Sequence, residues 1–154
     1  MPYILKSLRP QYEPYITGVL ETIYALSGQQ DDSNLMRLTD SVNELVSKME
    51  NVGDLNYVIS SLIWRQFEAN ETYTFGNHLI DVLEDVSDNL NTVDPVTENP
   101  FARVVINLCR KAYEERGIRD IKGVLRCASL EFYRRRLALY EDKKIADPKN
   151  GDLP

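Results

Sequence analysis

Leu35, Leu38, Val42, Leu45, Met49 and Val52 follow one another at spacings of three and four residues in strict alternation. That rhythm puts all six on one narrow face of an α-helix and is incompatible with the two-residue period of a strand. Related spacings recur along the chain. They run through Tyr15, Val19, Ile23 and Leu26, widened by Ile16 and Leu20, and through Leu55, Val58, Ile59, Leu62 and Ile63, extended by Trp64 and Phe67. Leu79, Val82, Leu83, Val86 and Leu90 form a further stripe, and Phe101, Val104, Val105, Leu108, Cys109, Ala112 and Tyr113 another. The expectation is an all-α fold: a bundle of five or six helices in a single domain over residues 1–146, with the third and sixth helices central. The polar residues 147–154 are expected to form a flexible tail.

The punctuation between the stripes suggests where helices begin and end. Pro2 and Pro10 bracket an extended arm carrying Tyr3, Ile4, Leu5 and Leu8, and the first helix is expected from Gln11 to Leu26, stopped by Gly28. Ser33 or Asp32 can cap the second helix. Its two and a half heptads are too few for a coiled-coil dimer and favour packing against the first. Gly53 followed by Asp54 reads as a stop and an N-cap for a third helix over 55–67. If Leu62 is buried there, replacing it with Ala costs ~2–5 kcal/mol. Residues 71–76 read as a turn before a fourth helix over 77–90, and 91–99 as a loop. Asn99 and Pro100 have the cap-then-proline order of a helix start, Gly117 ends that fifth helix, and Asp120 can cap a sixth running from Ile121 to Ile145.

The net charge of −6 opposes general attraction to nucleic acid or anionic lipid, but the charge is unevenly spread. Residues 68–100 hold eight acids and no Lys or Arg, whereas residues 117–144 hold eight bases and four acids. The acidic segment and the last helix can pair within one molecule or between two. The opening MPYILKSLRP has no apolar core of signal-peptide length, and no run approaches the ~20 apolar residues of a membrane span. Cys109 and Cys127 lie in apolar helical patterns, as buried reduced thiols would, although a disulfide between them stays open. Together these features predict a soluble cytoplasmic protein with no membrane contact.

Catalytic constellations are scarce. His78 is the sole histidine, no two glycines have phosphate-loop spacing, and no Cys/His pattern suits a nucleophile or zinc. No cofactor is expected. The alternative is magnesium, for which Glu68, Glu71, Glu84, Asp85 and Asp88 would supply carboxylate oxygens. The pairs Glu68–Glu71 and Asp85–Asp88 are loosely similar to the acidic motifs of the all-α nucleotide pyrophosphohydrolases of the MazG and dUTPase type. The doubled glutamate of that pattern is missing, and the first pair falls at a helix end.

The last predicted helix, IKGVLRCASLEFYRRRLALYEDKKI, combines apolar residues, three consecutive arginines and a terminal charge cluster. The arginines span about 200° of an α-helix and cannot all face one ligand. They are expected to reach acids on the fourth helix while Tyr133, Leu137 and Tyr140 form core, and Arg135 has Glu131 as an i, i+4 partner. Stacking of the aromatics on bases beside Arg119, Lys122 and Arg126 is the nucleic-acid alternative. MPYI, GDLNYVIS at residues 53–60, and GVLRCASLEFYRRRLALYEDKKI followed by NGD resemble a family of short helical proteins of unknown function from phages, bacteria and archaea. The resemblance implies a compact helical domain without an established activity. It picks out Asn56, Tyr57, Glu131, Arg134, Arg135, Tyr140, Glu141, Asp142, Lys143 and Lys144 as matching positions. The functional expectation is a non-enzymatic interaction or assembly protein that self-associates, as a dimer, through Arg134, Arg135, Tyr140, Glu141, Asp142, Lys143 and Lys144. A different protein partner is compatible with the same surface, and nucleic acid is disfavoured.

Overall fold

The structure, a computed structural model, describes residues 6–29, 31–90, 99–139, 142 and 143, with Lys6 and Ser7 as backbone only. The proposed tail, the loop over 91–98, residues 2–5 of the arm, and Tyr140, Glu141 and Lys144 lie outside the described residues. A 3-10 helix over Lys6–Tyr12 leads into α1 (Glu13–Gly28), α2 (Asp32–Ser47), α3 (Val52–Ala69), α4 (Tyr73–Asn89), α5 (Pro100–Arg116) and α6 (Ile121–Phe132). A π-helical turn, Tyr133–Leu137, continues α6. The described residues contain no strand.

α1 and α2 pack as an antiparallel hairpin. The Tyr12 hydroxyl, just before α1, donates to the Lys48 carbonyl at the far end of α2 (2.9 Å), and Thr22 Oγ1 meets Ser41 Oγ halfway along at 3.1 Å. Leu38, Val42, Leu45 and Met49 of the alternating stripe are buried, whereas Val52 leaves it to open α3. α3 is the core helix: Leu55, Val58, Ile59, Leu62 and Ile63 are each fully buried. Each such side chain contributes ~1.5–3 kcal/mol through burial. α6 lies parallel to α3, with the Phe67 and Phe132 rings meeting edge to face at 5.2 Å near their C-terminal ends. α4 runs antiparallel to α6, so that Gly76 in its first turn abuts Leu137.

Several helix ends differ from the sequence expectation, each for a local reason. Residues 6–12 coil into a 3-10 helix rather than an extended arm, which places Tyr12 in the core. Asp31, one residue earlier than expected, caps α2 by accepting from Asn34 N at 2.8 Å. Gly53 does not stop a helix: it lies inside the first turn of α3, whose cap is Asn51. There the Asn51 side chain accepts from Asp54 N, while Asp54 Oδ2 accepts from the N–H groups of Glu50 (2.7 Å) and Asn51 (3.1 Å). This reciprocal capping box makes Asp54 the third helical residue instead of the cap. Thr72 caps α4, so Tyr73–Gly76 is helix where a turn was expected. Asn99, Pro100 and left-handed Gly117 (φ 64°) bound α5 as their order implied. Asp120 does precede α6, but at φ 60° it makes no side-chain cap bond, and its carboxylate folds over Gly123, where a Cβ would collide with it.

Candidate functional site

α6 was expected to be one unbroken α-helix, but it widens after Phe132. Within Tyr133–Leu137 the helix takes π form, closed by the N–H of Ala138 donating to the Tyr133 carbonyl five residues back. Such turns hold one residue more than an α turn and recur at functional sites. The extra residue lets both Phe132 and Leu137 face the core fully buried. Tyr133, expected in the core beside Leu137, instead remains 42% exposed.

The π turn also redirects the arginines. Arg134 and Arg135 do not reach α4. Both turn back on Glu131, a side chain only 8% exposed, with Arg135 Nε 2.7 Å from Oε2 and Arg134 3.5 Å from Oε1. Arg136 crosses to α3, where it pairs with Glu68 at 3.2 Å and lies over the Trp64 ring at 5.0 Å. Asp142 and Lys143 are exposed.

The acidic residues of α4 meet a different part of α6. Between the two helices runs a groove of about 640 Å³. Its α4 wall carries Asn77, Ile80, Leu83, Glu84, Ser87 and Asp88, and its α6 wall carries Lys122, Leu125, Arg126, Ser129, Leu130 and Tyr133. Because the helices are antiparallel, Glu84 and Asp88 face Lys122 and Arg126 at one end. Ile80 and Asn77 face Leu130 and Tyr133 at the other. Among the described residues none of these four charged side chains closes an ion pair across the gap. The groove is therefore acidic on one side, basic on the other, and apolar towards the π turn.

The five acids considered for magnesium are scattered. Glu84 and Asp88 line the groove, Asp85 is exposed one position away, Glu71 precedes α4, and Glu68 is engaged by Arg136. No three His, Cys, Asp or Glu side chains among the described residues are grouped so as to hold a metal ion. His78 is exposed on α4, its Nε2 3.2 Å from Asn99 Nδ2. Both cysteines are free thiols, Cys109 buried and Cys127 half-buried, and burial pushes the Cys109 pKa up to about 12. No described helix is long and apolar enough to cross a membrane.

Sequence reasoning missed three features of this region: the burial of Glu131, the π turn, and the exposure of Leu130 beside Tyr133. A signal for the last was present, since Leu130 and Tyr133 fall three apart on the side of the helix that carries Lys122 and Arg126.

No curated protein and no solved structure matches the chain. A family model, the domain of unknown function DUF6899, matches residues 98–153, which take in α5, α6 and the π turn.

Proposed function

We propose that this is a non-enzymatic interaction protein of the cytoplasm that self-associates, as a dimer, through its last helix. The observation that carries the reading is the pair Leu130 and Tyr133, 53% and 42% exposed and three residues apart where α6 runs into the π turn, while Ile121, Val124, Leu125 and Phe132 of α6 are buried. An exposed apolar pair beside cations that close no ion pair among the described residues suits a protein contact better than a solvated face. Arg134, Arg135, Asp142 and Lys143 are assigned to the charged rim of that contact, and Tyr140, Glu141 and Lys144, proposed with them, lie outside the described residues. The family match over residues 98–153 covers the same helix, and the MPYI and GDLNYVIS blocks extend the resemblance to short phage and prokaryotic helical proteins beyond it.

The magnesium-nucleotide reading draws less support, because only two of its five acids share a site and one is held by an arginine. Nucleic-acid contact along Lys122 and Arg126 is opposed by Glu84 and Asp88 on the facing wall.

Light scattering after size-exclusion chromatography tests the proposal. Wild type is expected at the mass of a dimer and Leu130→Asp at that of a monomer with unchanged helicity. Leu130 is a better probe than Arg135, whose loss would disturb Glu131 as well as the surface. A wild type that stays monomeric at all concentrations overturns the reading.

A further inference from the structure

The groove between α4 and α6 has a symmetry property that its two walls create together. Consider two copies face to face, related by a two-fold axis that runs along the groove. The operation exchanges left and right walls but keeps the ends in place. The α4 wall of each copy then covers the α6 wall of the other, so Glu84 and Asp88 of one copy meet Lys122 and Arg126 of the other, twice over. The same operation brings Ile80 against Leu130 and Tyr133 at the apolar end. A two-fold axis across the groove would instead lay each wall on its own copy with the ends reversed, so that the charges of one copy met the apolar end of the other. An isologous contact needs a patch complementary to itself, and this charge arrangement is complementary to itself in one orientation only.

We infer that the occupant of the α4–α6 groove is the same groove of a second copy of this chain, with the dyad along the groove. The inference rests on the proposal that the last helix mediates self-association, and it adds the surface, the partner and the orientation. Three observations carry it. Among the described residues the four charged side chains line the groove without pairing across it, although a single opening holds them all. The exposed Leu130 and Tyr133 line the same opening, which gives a contact an apolar portion beside its charged one. Acid and base occupy opposite walls rather than alternating along each, as the dyad requires.

Charge reversal tests the arrangement by sedimentation velocity on the full chain. One variant carries Lys122→Glu and Arg126→Glu, a second carries Glu84→Lys and Asp88→Lys, and a third carries all four changes. The four positions are exposed, so far-UV circular dichroism is expected to match wild type in each. Each double variant should dimerise on the order of 100-fold more weakly than wild type, because like charges then face one another. An equimolar mixture of the two should form a heterodimer, and the fourfold variant should regain the homodimer. A wild-type dimer whose affinity neither double variant changes overturns the groove as the contact while leaving self-association standing. Weak double variants that form no heterodimer overturn the dyad orientation. A wild type that is monomeric up to about 1 mM, far above ordinary dimer affinities, overturns self-association and the groove contact together.

Discussion

Phe132 and Leu137 are five residues apart, yet both are fully buried in the same core. On an unbroken α-helix a five-residue step turns about 140° from the starting face, so one of the two would point to solvent. The π turn removes the conflict by absorbing one residue. Deleting Arg134, the most exposed arginine of the three, should therefore convert the π turn to α and leave Phe132 and Leu137 four apart on one face. We expect that deletion to fold and to cost less than ~1 kcal/mol, or about 2–4 °C in Tm. Deleting Arg126 within α6 should rotate Ile121, Val124 and Leu125 about 100° out of the core and abolish the cooperative melt. Thermal unfolding followed by circular dichroism separates the two, and equal losses would show that the π turn has no such role.

Glu131 makes its ion pairs with arginines of its own helix, one at 2.7 Å. The carboxylate is almost wholly buried while the arginines are more than half exposed, so most of the desolvation cost falls on the acid. Arg135→Ala leaves that acid with the weaker Arg134 contact and should cost ~1–2 kcal/mol, less than a fully buried pair because water still reaches the guanidinium. Glu131→Gln should cost less than Arg135→Ala, because a neutral amide needs no counter-charge. Urea denaturation of both variants decides the order, and a reversed order would mean that the pair is only a surface contact.

The apolar stripes were legible because helical periodicity is written locally, in residues three and four apart. The caps Asn99 and Gly117 were legible for the same reason. Gly53 misled because glycine can end a helix or lie inside one, and the choice was made by Asn51 and Asp54 completing a capping box around it. The π turn was not legible because no local signal demands it: Leu137 packs against Gly76, far away in sequence. The groove was half legible. Its acidic and basic segments stood out as an asymmetry in charge, and the expected arginine partners of α4 were wrong because the π turn diverted Arg134, Arg135 and Arg136 elsewhere. Lys122 and Arg126 face α4 instead, closing no ion pair with it among the described residues.

Two buried acids of high pKa give the fold a shared weakness at alkaline pH. Burial first, and then the Asp54 carboxylate, raise the Tyr12 phenol well above its ordinary value, and burial alone pushes the Cys109 thiol up to about 12. In the unfolded chain the thiol titrates at its usual value of about 9 and the phenol at about 10. Above those values the unfolded state binds fewer protons than the folded one, so stability falls as pH rises, and below about pH 8 neither group has an effect. Chemical denaturation between pH 7 and 11 should show a steady loss that begins near pH 9. Cys109→Ala should remove the early part of that slope and Tyr12→Phe the later part, the second also losing about 1 kcal/mol with its bond to the Lys48 carbonyl. An unchanged slope in Cys109→Ala would mean that the thiol titrates in the folded state.

Gly76 and Leu137 share one space. A Cβ built on Gly76 would lie 2.5 Å from Leu137 Cδ1 and 3.3 Å from the Phe67 ring, and Leu137 is fully buried with little room to retreat. Gly76→Ala should thus cost ~1–2 kcal/mol through overpacking, partly offset by the better helix propensity of alanine. Leu137→Ala should cost ~2–5 kcal/mol by leaving a cavity at the join of α3, α4 and the π turn. In the double variant the new methyl group enters the space that the leucine vacates. Its cost should fall short of the sum of the two single changes by ~1 kcal/mol or more, measured by urea unfolding as a double-mutant cycle. Strict additivity would show that α4 does not rest on Leu137, and the packing of α4 against the end of α6, which fixes the width of the groove, would then need another cause.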